Sequence, residues 1–317
     1  MNFTAIAAIV AFLTTAVGLR FLIPSLTKFK FGQQIREDGP KHHLQKQGTP
    51  TMGGIVIVFG FLLAAFIFAW DVPEVRLVML ATAGFGFIGF VDDFIKIKKK
   101  RSLGLKAYQK IIAQLVTSNI FIVNWRMLPS YSTEILIPFY LQTIDLGAFF
   151  PFLVCGTFVS TANGANLTDG LDGLASGVTV IIATFFLVIA MWAFNAPITP
   201  AIGAMIGALL GFMLFNSHPA KVYMGDTGSL ALGGFIAVVA ILFGMQLFLL
   251  IVAIIYVIES MSVIIQVGYF KLTRGKRFFK MAPIHHSFEL KGWPETKIVA
   301  LFMIITAIAC MTALIGF

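Results

Sequence analysis

The chain has 317 residues, of which 58% are hydrophobic and 12% charged, and carries a formal charge of +9. A soluble domain is about 25% charged, so a chain with half that share and 33 Phe cannot fold around one water-soluble core. Its Lys and Arg are interleaved with apolar runs, which argues against nucleic acid as a partner and for anionic headgroups and phosphate-bearing substrates.

A bilayer-spanning helix needs roughly 20 apolar residues. Ten runs approach that length: 3–23, 52–70, 75–91, 108–124, 147–163, 176–194, 200–216, 228–243, 247–267 and 297–316. The first has no basic stretch before it and no clear small-residue cleavage site after it, so a retained span is expected rather than a signal peptide. All of the 23 Lys and Arg except Arg76 and Arg126 fall on one set of alternating loops, which the positive-inside rule makes cytoplasmic. Both termini are then expected outside. Between the fourth and fifth runs, the alternating Ile135-Leu136-Ile137 with Pro138 suggests a small hairpin. Cys155 and Cys310 lie far apart in apolar runs and read as packing residues. Glu259 falls inside the ninth run, where a charge in mid-helix costs about 2.5–3.5 kcal/mol; it is paired, protonated or close to a helix break. A transporter should carry several such residues, and Glu259 is alone. The expected fold is an all-α polytopic membrane protein of ten transmembrane helices, forming one integral membrane domain over 1–317, with an active-site cleft facing the cytoplasm.

Five polar clusters fall at the cytoplasmic ends of these runs. Gly48 to Gly54, containing Thr51, opens the second. Asp92-Asp93 closes the third, at a helix C-terminus that disfavours anions, so capping does not account for the pair; pairing with Lys96, Lys98, Lys99 or Lys100 is the alternative to a metal site or general base. Between the fifth and sixth runs lie Asn163, Asn166, Asp169 and Asp172, interspersed with Gly170 and Gly173. Asn216 to Gly228, with Tyr223 and Asp226, joins the seventh to the eighth. Ala282 to His286 precedes the tenth. Asp169, Asp172 and Asp226 stand where an N-cap aspartate is common. Their glycines also allow close approach of backbone to a ligand. The N-termini of the second, sixth and eighth runs, aimed at one place, would make a phosphate cradle, and carboxylates with phosphate oxygens are the usual Mg²⁺ site. The Lys96 to Arg101 run reads mainly as a topology signal. Lys46 and Lys106, each close to a cluster, are the candidates for holding phosphate. His285-His286 lacks the spacing of paired metal ligands on a helix and suits a donor to pyrophosphate. His42-His43 reads as solvated loop.

With these motifs in view, the chain closely resembles the phospho-N-acetylmuramoyl-pentapeptide transferase family, of the polyprenyl-phosphate N-acetylhexosamine-1-phosphate transferase superfamily. The resemblance spans the whole chain and rests on 48–54, 91–94, 163–177, 216–229 and 282–289. It implies transfer of phospho-N-acetylmuramoyl-pentapeptide from its UDP donor to undecaprenyl phosphate, releasing UMP, with Mg²⁺ in a bilayer-embedded homodimer. It implies catalytic roles for Asp92, Asp93, Asp226 and His285, with Asp226 as the metal ligand. It implies substrate contacts from Asn163, Asp169, Asp172, Asn216 and Gln266, with Tyr223 stacking on uracil; Lys46, Thr51, Lys106, Asn166 and His286 complete the expected binding set. Within the superfamily, the Pro283-Ile284-His285-His286-x-Phe288-Glu289 run favours the muramoyl donor over an acetylglucosamine donor. Relatives often carry three consecutive histidines, whereas Ser287 follows His286 here, which leaves any role of the third open.

Overall fold

The computed structural model describes residues 3–28, 48–99, 101 and 103–317; Lys46 and His42-His43 lie outside them. Among the described residues, eight helices are long and apolar enough to cross a membrane. They are α1 (Phe3–Lys28), α3 (Pro73–Lys98), α5 (Phe150–Thr168), α6 (Leu174–Trp192), α7 (Thr199–Asn216), α8 (Gly225–Leu242), α10 (Ile254–Leu272) and α12 (Glu295–Ile315). The second and fourth expected runs also form helices, but of a different character. Helix α2 (Gly54–Ala69) has 16 residues, and α4 (Ala107–Trp125) carries Gln109, Lys110, Gln114 and Ser118, which dilute its apolar character. The ninth run is interrupted: a 3-10 turn (Gln246–Phe248) leads into the short α9 (Leu249–Val252), and the chain breaks at Ala253 before α10. A last short helix, α11 (Ile284–Glu289), carries the histidines.

The expected hairpin is present. Strand β1 (Glu134–Leu136) pairs antiparallel with β2 (Thr143–Asp145), Ile135 opposite Ile144. The hairpin is tied at its base: Asp145 accepts from the Thr133 hydroxyl and from Gly147 N–H at 2.9 Å.

Helix α8 is the centre of the bundle. Every residue from 227 to 241 is buried, as expected for a helix apolar all round, and it packs on α3, α5, α2 and α6. Close approach is achieved with glycine, as in membrane helix pairs generally. On α7, a Cβ at Gly207 would lie 1.9 Å from the Ala8 carbonyl of α1. Where α3 meets α8, a Cβ at Gly89 would lie 2.0 Å from the Asp226 carbonyl. The bare backbone of Gly89 therefore lets the first turn of α8 press onto α3, and this contact brings Asp226 beside Asp92-Asp93. Outward-facing Phe21, Phe87, Leu214 and Ile264 are exposed, a surface suited to lipid rather than water.

Candidate active site

Asp92 and Asp93 stand near the end of α3, buried. Lys96, one turn on, places its Nζ 2.6 Å from Asp92 Oδ2, 3.1 Å from Asp226 Oδ2 and 3.6 Å from Asp93 Oδ1. Lys110, on α4, reaches Asp226 Oδ2 at 2.5 Å and Asp92 Oδ1 at 3.1 Å. Three carboxylates against two ammonium groups leave the cluster one negative charge among the described residues. Asp92 Oδ1 also accepts from Leu105 N–H at 2.7 Å, and Asp226 Oδ1 accepts from Asn166 at 3.1 Å.

Asp93 corrects the expectation that capping cannot account for the pair. Its carboxylate accepts from Asp226 N–H (3.2 Å), Thr227 N–H (2.9 Å) and the Thr227 hydroxyl (2.7 Å). It is unsuited to cap its own helix end, but it caps the N-terminus of α8 across the bundle, where an anion is favoured. Asp226, read as a possible N-cap, lies inside the first turn of α8 with its side chain turned to the lysines.

The other capping readings also change. Asp169 is the C-cap of α5. Gly173, in the left-handed region at φ 77°, is the N-cap of α6, and its N–H donates to Asn216 Oδ1 at 3.1 Å. Asp172 accepts instead from Ala220 N–H at 3.0 Å and lies 3.1 Å from His218 Nδ1. The expected phosphate cradle of three helix N-termini is not formed. Gly53 and Gly54 N–H, opening α2, donate to the Tyr223 and Met224 carbonyls at 2.9 Å each, and the first N–H groups of α8 are taken by Asp93. The ammonium groups at this place are those of Lys96 and Lys110.

A second cluster joins Asp172, His218 and Glu295, whose ligand-capable atoms lie within 4.8 Å of one another. Glu295 also accepts from Asp172 N–H at 2.6 Å. Tyr223 stands beside it: burial, together with the Asp172 and Glu295 carboxylates, pushes its hydroxyl well above the usual tyrosine range. Asp169 lies between the two clusters. Burial, then Asp226, Asp93 and Asp172, raise its carboxyl well above the ordinary value.

The histidines are held separately. His285 and Glu259 are both fully buried, with His285 Nδ1 3.1 Å from Glu259 Oε1. Glu259 is therefore paired, and it lies less than two turns into α10 after the break at Ala253. His286 Nδ1 lies 2.6 Å from Glu289 Oε2. Ser287, in place of a third histidine, is buried and ties the preceding loop through its hydroxyl, which donates to the Met281 carbonyl and accepts from Met281 N–H. Gln266 accepts from Phe278 and Phe279 N–H at 3.1 and 2.8 Å and lines a cavity of about 310 Å³ with Lys271 and Arg277.

The remaining expected residues divide. Thr51 stands beside Gly225: its hydroxyl lies 2.9 Å, and Asp93 Oδ2 2.6 Å, from where a Cβ on Gly225 would be. Asn163 donates to Gln114 at 2.9 Å and to the Val159 carbonyl. Lys106 is exposed over the Tyr108 ring and touches none of the three aspartates. Lys110, one helical turn further along, is the lysine of this segment that meets the aspartates. Lys106 is the N-cap of α4, with extended backbone, whereas Lys110 and Gln114, four apart, share one face of the helix, a signal legible in sequence, as is Lys96 four residues after Asp92. His218 and Glu295 are brought together from 77 residues apart, and no local pattern announces them.

Asp92, Asp93 and Asp226 each offer one carboxylate oxygen within 4.8 Å of the others. This all-oxygen donor set fits a hard divalent cation such as Mg²⁺. Asp226 is the accessible member, its side chain 15% exposed against 0% and 4% for the pair.

Comparison with known proteins agrees with this geometry. The Glycosyl transferase family 4 profile matches residues 75–244, and the phospho-N-acetylmuramoyl-pentapeptide-transferase signature 1 matches 46–58. Phospho-N-acetylmuramoyl-pentapeptide-transferase of Clostridioides difficile (strain 630) is 48% identical over 98% of this chain and 96% of its own length. The protein of the same name from Caldanaerobacter subterraneus subsp. tengcongensis is 48% identical over 96% and 95%. That of Clostridium kluyveri is 48% identical over 98% and 97%. With the three aspartates gathered at the ends of α3 and α8 and this identity over nearly its full length, the chain belongs to the phospho-N-acetylmuramoyl-pentapeptide-transferase family of membrane phospho-sugar transferases.

Proposed function

We propose that the chain transfers phospho-N-acetylmuramoyl-pentapeptide from its UDP donor to undecaprenyl phosphate, releasing UMP, at the cluster of Asp92, Asp93 and Asp226 on the cytoplasmic side of a bacterial membrane. The observation that carries this reading is the convergence of three carboxylates with Lys96 and Lys110 in one place. Two phosphate-bearing substrates repel each other, and fixed ammonium groups offset that repulsion in the transition state.

Asp226 would hold Mg²⁺. When bound, that ion neutralises the diphosphate and makes UMP a better leaving group. Asp93 fixes the first turn of α8 and hence the position of the Asp226 carboxylate. Asp92, whose carboxylate is free of helix capping, is the better placed of the pair to take the proton of the lipid phosphate. An oxygen of that phosphate attacks the phosphorus bonded to the sugar, and the bond from that phosphorus to the UMP oxygen breaks. His285 donates to the diphosphate, Tyr223 and Asp172 receive the uracil end, and the Gln266 cavity lies toward the peptide.

The test is a radiolabelled-donor assay on the purified protein with undecaprenyl phosphate, with and without EDTA. Labelled lipid and UMP should form only when Mg²⁺ is present. Turnover of a UDP-N-acetylglucosamine donor alone would refute the choice of substrate. The same reading includes a homodimer, and a monomer mass by light scattering in detergent would remove that part of it.

A further inference from the structure

Helix α10 is for the most part a lipid-facing helix, with Met261, Ile264 and Val267 exposed. Its buried face carries Ile255, Tyr256, Glu259 and Ser262, and the Glu259 side chain is fully buried. A carboxylate in such a position persists only when paired and hydrogen-bonded. Both of its oxygens are engaged by the histidine segment. Oε2 accepts from Ile284 N–H at 2.9 Å, and Oε1 faces His285 Nδ1 at 3.1 Å. An ionised carboxylate can only accept, and facing one would place the His285 proton on Nδ1.

The other end of the ring is fixed as well. His285 Nε2 is buried and has no hydrogen-bond partner. It lies 2.1 Å from where a Cβ on Gly170 would be, so only glycine admits the ring at this depth. Gly170 follows Asp169, between the two acidic clusters. An unsatisfied buried nitrogen costs about 1–3 kcal/mol. Starting α11 would need only one acceptor for Ile284 N–H, and a neutral amide could supply it without burying charge. The second carboxylate oxygen is spent on the ring.

We propose that Glu259 is a positioning residue of the active site: it holds the proton of His285 on Nδ1 and locks the ring so that Nε2 meets the donor's diphosphate beside Gly170. A carboxylate that orients a functional histidine through its second ring nitrogen is a recurrent device at metal centres; here it would serve a histidine that meets phosphate. Nε2 donates when the ring carries both protons. This role rests on the transferase reading above.

The experiment compares kcat and KM of the full-length protein with Glu259→Gln, His285→Gln and the double variant, using the UDP donor and undecaprenyl phosphate. A glutamine at 259 can satisfy Ile284 N–H or Nδ1–H but not both. Glu259→Gln should lower kcat about 10- to 100-fold while KM for the donor stays within about threefold. The double variant should be no slower than His285→Gln alone. Losses that multiply in the double variant, or a Glu259→Gln rate within about twofold of the parent, would overturn the proposal. A readout that needs no Glu259 variant is ¹⁵N NMR of histidine-labelled protein, with His285 assigned by the signal lost in His285→Gln. Its proton should sit on Nδ1, and a neutral ring protonated on Nε2 would overturn the proposal even if Glu259→Gln does not fold. A parent protein that transfers nothing from this donor would count against the transferase reading instead and leave the tautomer result standing.

Discussion

Replacing Asp93 by Asn should cost both turnover and stability, and the stability loss is the informative part. The carboxylate takes three donors: Asp226 N–H, Thr227 N–H and the Thr227 hydroxyl. An amide keeps one oxygen and turns an NH₂ toward the remainder. If the oxygen stays with Thr227, the NH₂ faces Asp226 N–H, donor against donor. One buried N–H is then unpaired, at about 1–3 kcal/mol, and a charge-assisted cap becomes neutral, at about 1 kcal/mol more. The total is on the order of 2–4 kcal/mol. The first turn of α8 carries Asp226, so this candidate metal ligand should shift with it. Thermal unfolding in detergent and UMP release on the same preparation provide the assay: the unfolding midpoint should drop by several degrees and turnover should be lost. Asp92→Asn, which disturbs no helix start, should lose turnover with a smaller drop. Lost turnover in Asp93→Asn with an unchanged midpoint would refute the capping argument and make Asp93 a purely chemical group.

Lys110→Met should lower kcat/KM about 100-fold, because it removes the ammonium that touches both Asp92 and Asp226, whereas Lys106→Met should cost less than about threefold; steady-state kinetics on the two variants checks the order. Added Mg²⁺ should raise the unfolding midpoint of the parent protein in a dose-dependent way, since the cluster keeps one uncompensated negative charge, and Asp226→Asn should abolish that rise. Asp169 has a folded-state carboxyl pushed above its unfolded value by burial and neighbouring carboxylates. Its ionisation therefore costs stability that is intact below the unfolded value and declines as pH rises toward the folded one. Asp169→Asn should accordingly gain in midpoint over the parent at pH 8 and lose that advantage near pH 4, as unfolding measured across this range would show.

The membrane class was legible because it depends on composition and run length alone, and these survive any folding. The small hairpin was legible for the same reason: strand alternation and a proline-bearing turn are local patterns. The acidic, glycine-rich and histidine clusters were also visible, since their residue types are unusual at helix ends. Two other features were written in the sequence but outweighed. Lys96 sits one helical turn from Asp92 in a run that reads first as a topology signal, and Lys110, four residues after Lys106, opens an apolar run.

Which group answers which was decided only by the tertiary structure. Asp93 was judged by the helix it belongs to, and it caps a helix that begins 132 residues later. Gly89 looks like any helical glycine until the Asp226 carbonyl is found pressed against it. Glu259, His285 and Gly170 come from three separate segments and meet inside the bundle. Charge partners and caps act over a few ångströms, so their identity is set by how helices pack, and only local spacing is written along the chain.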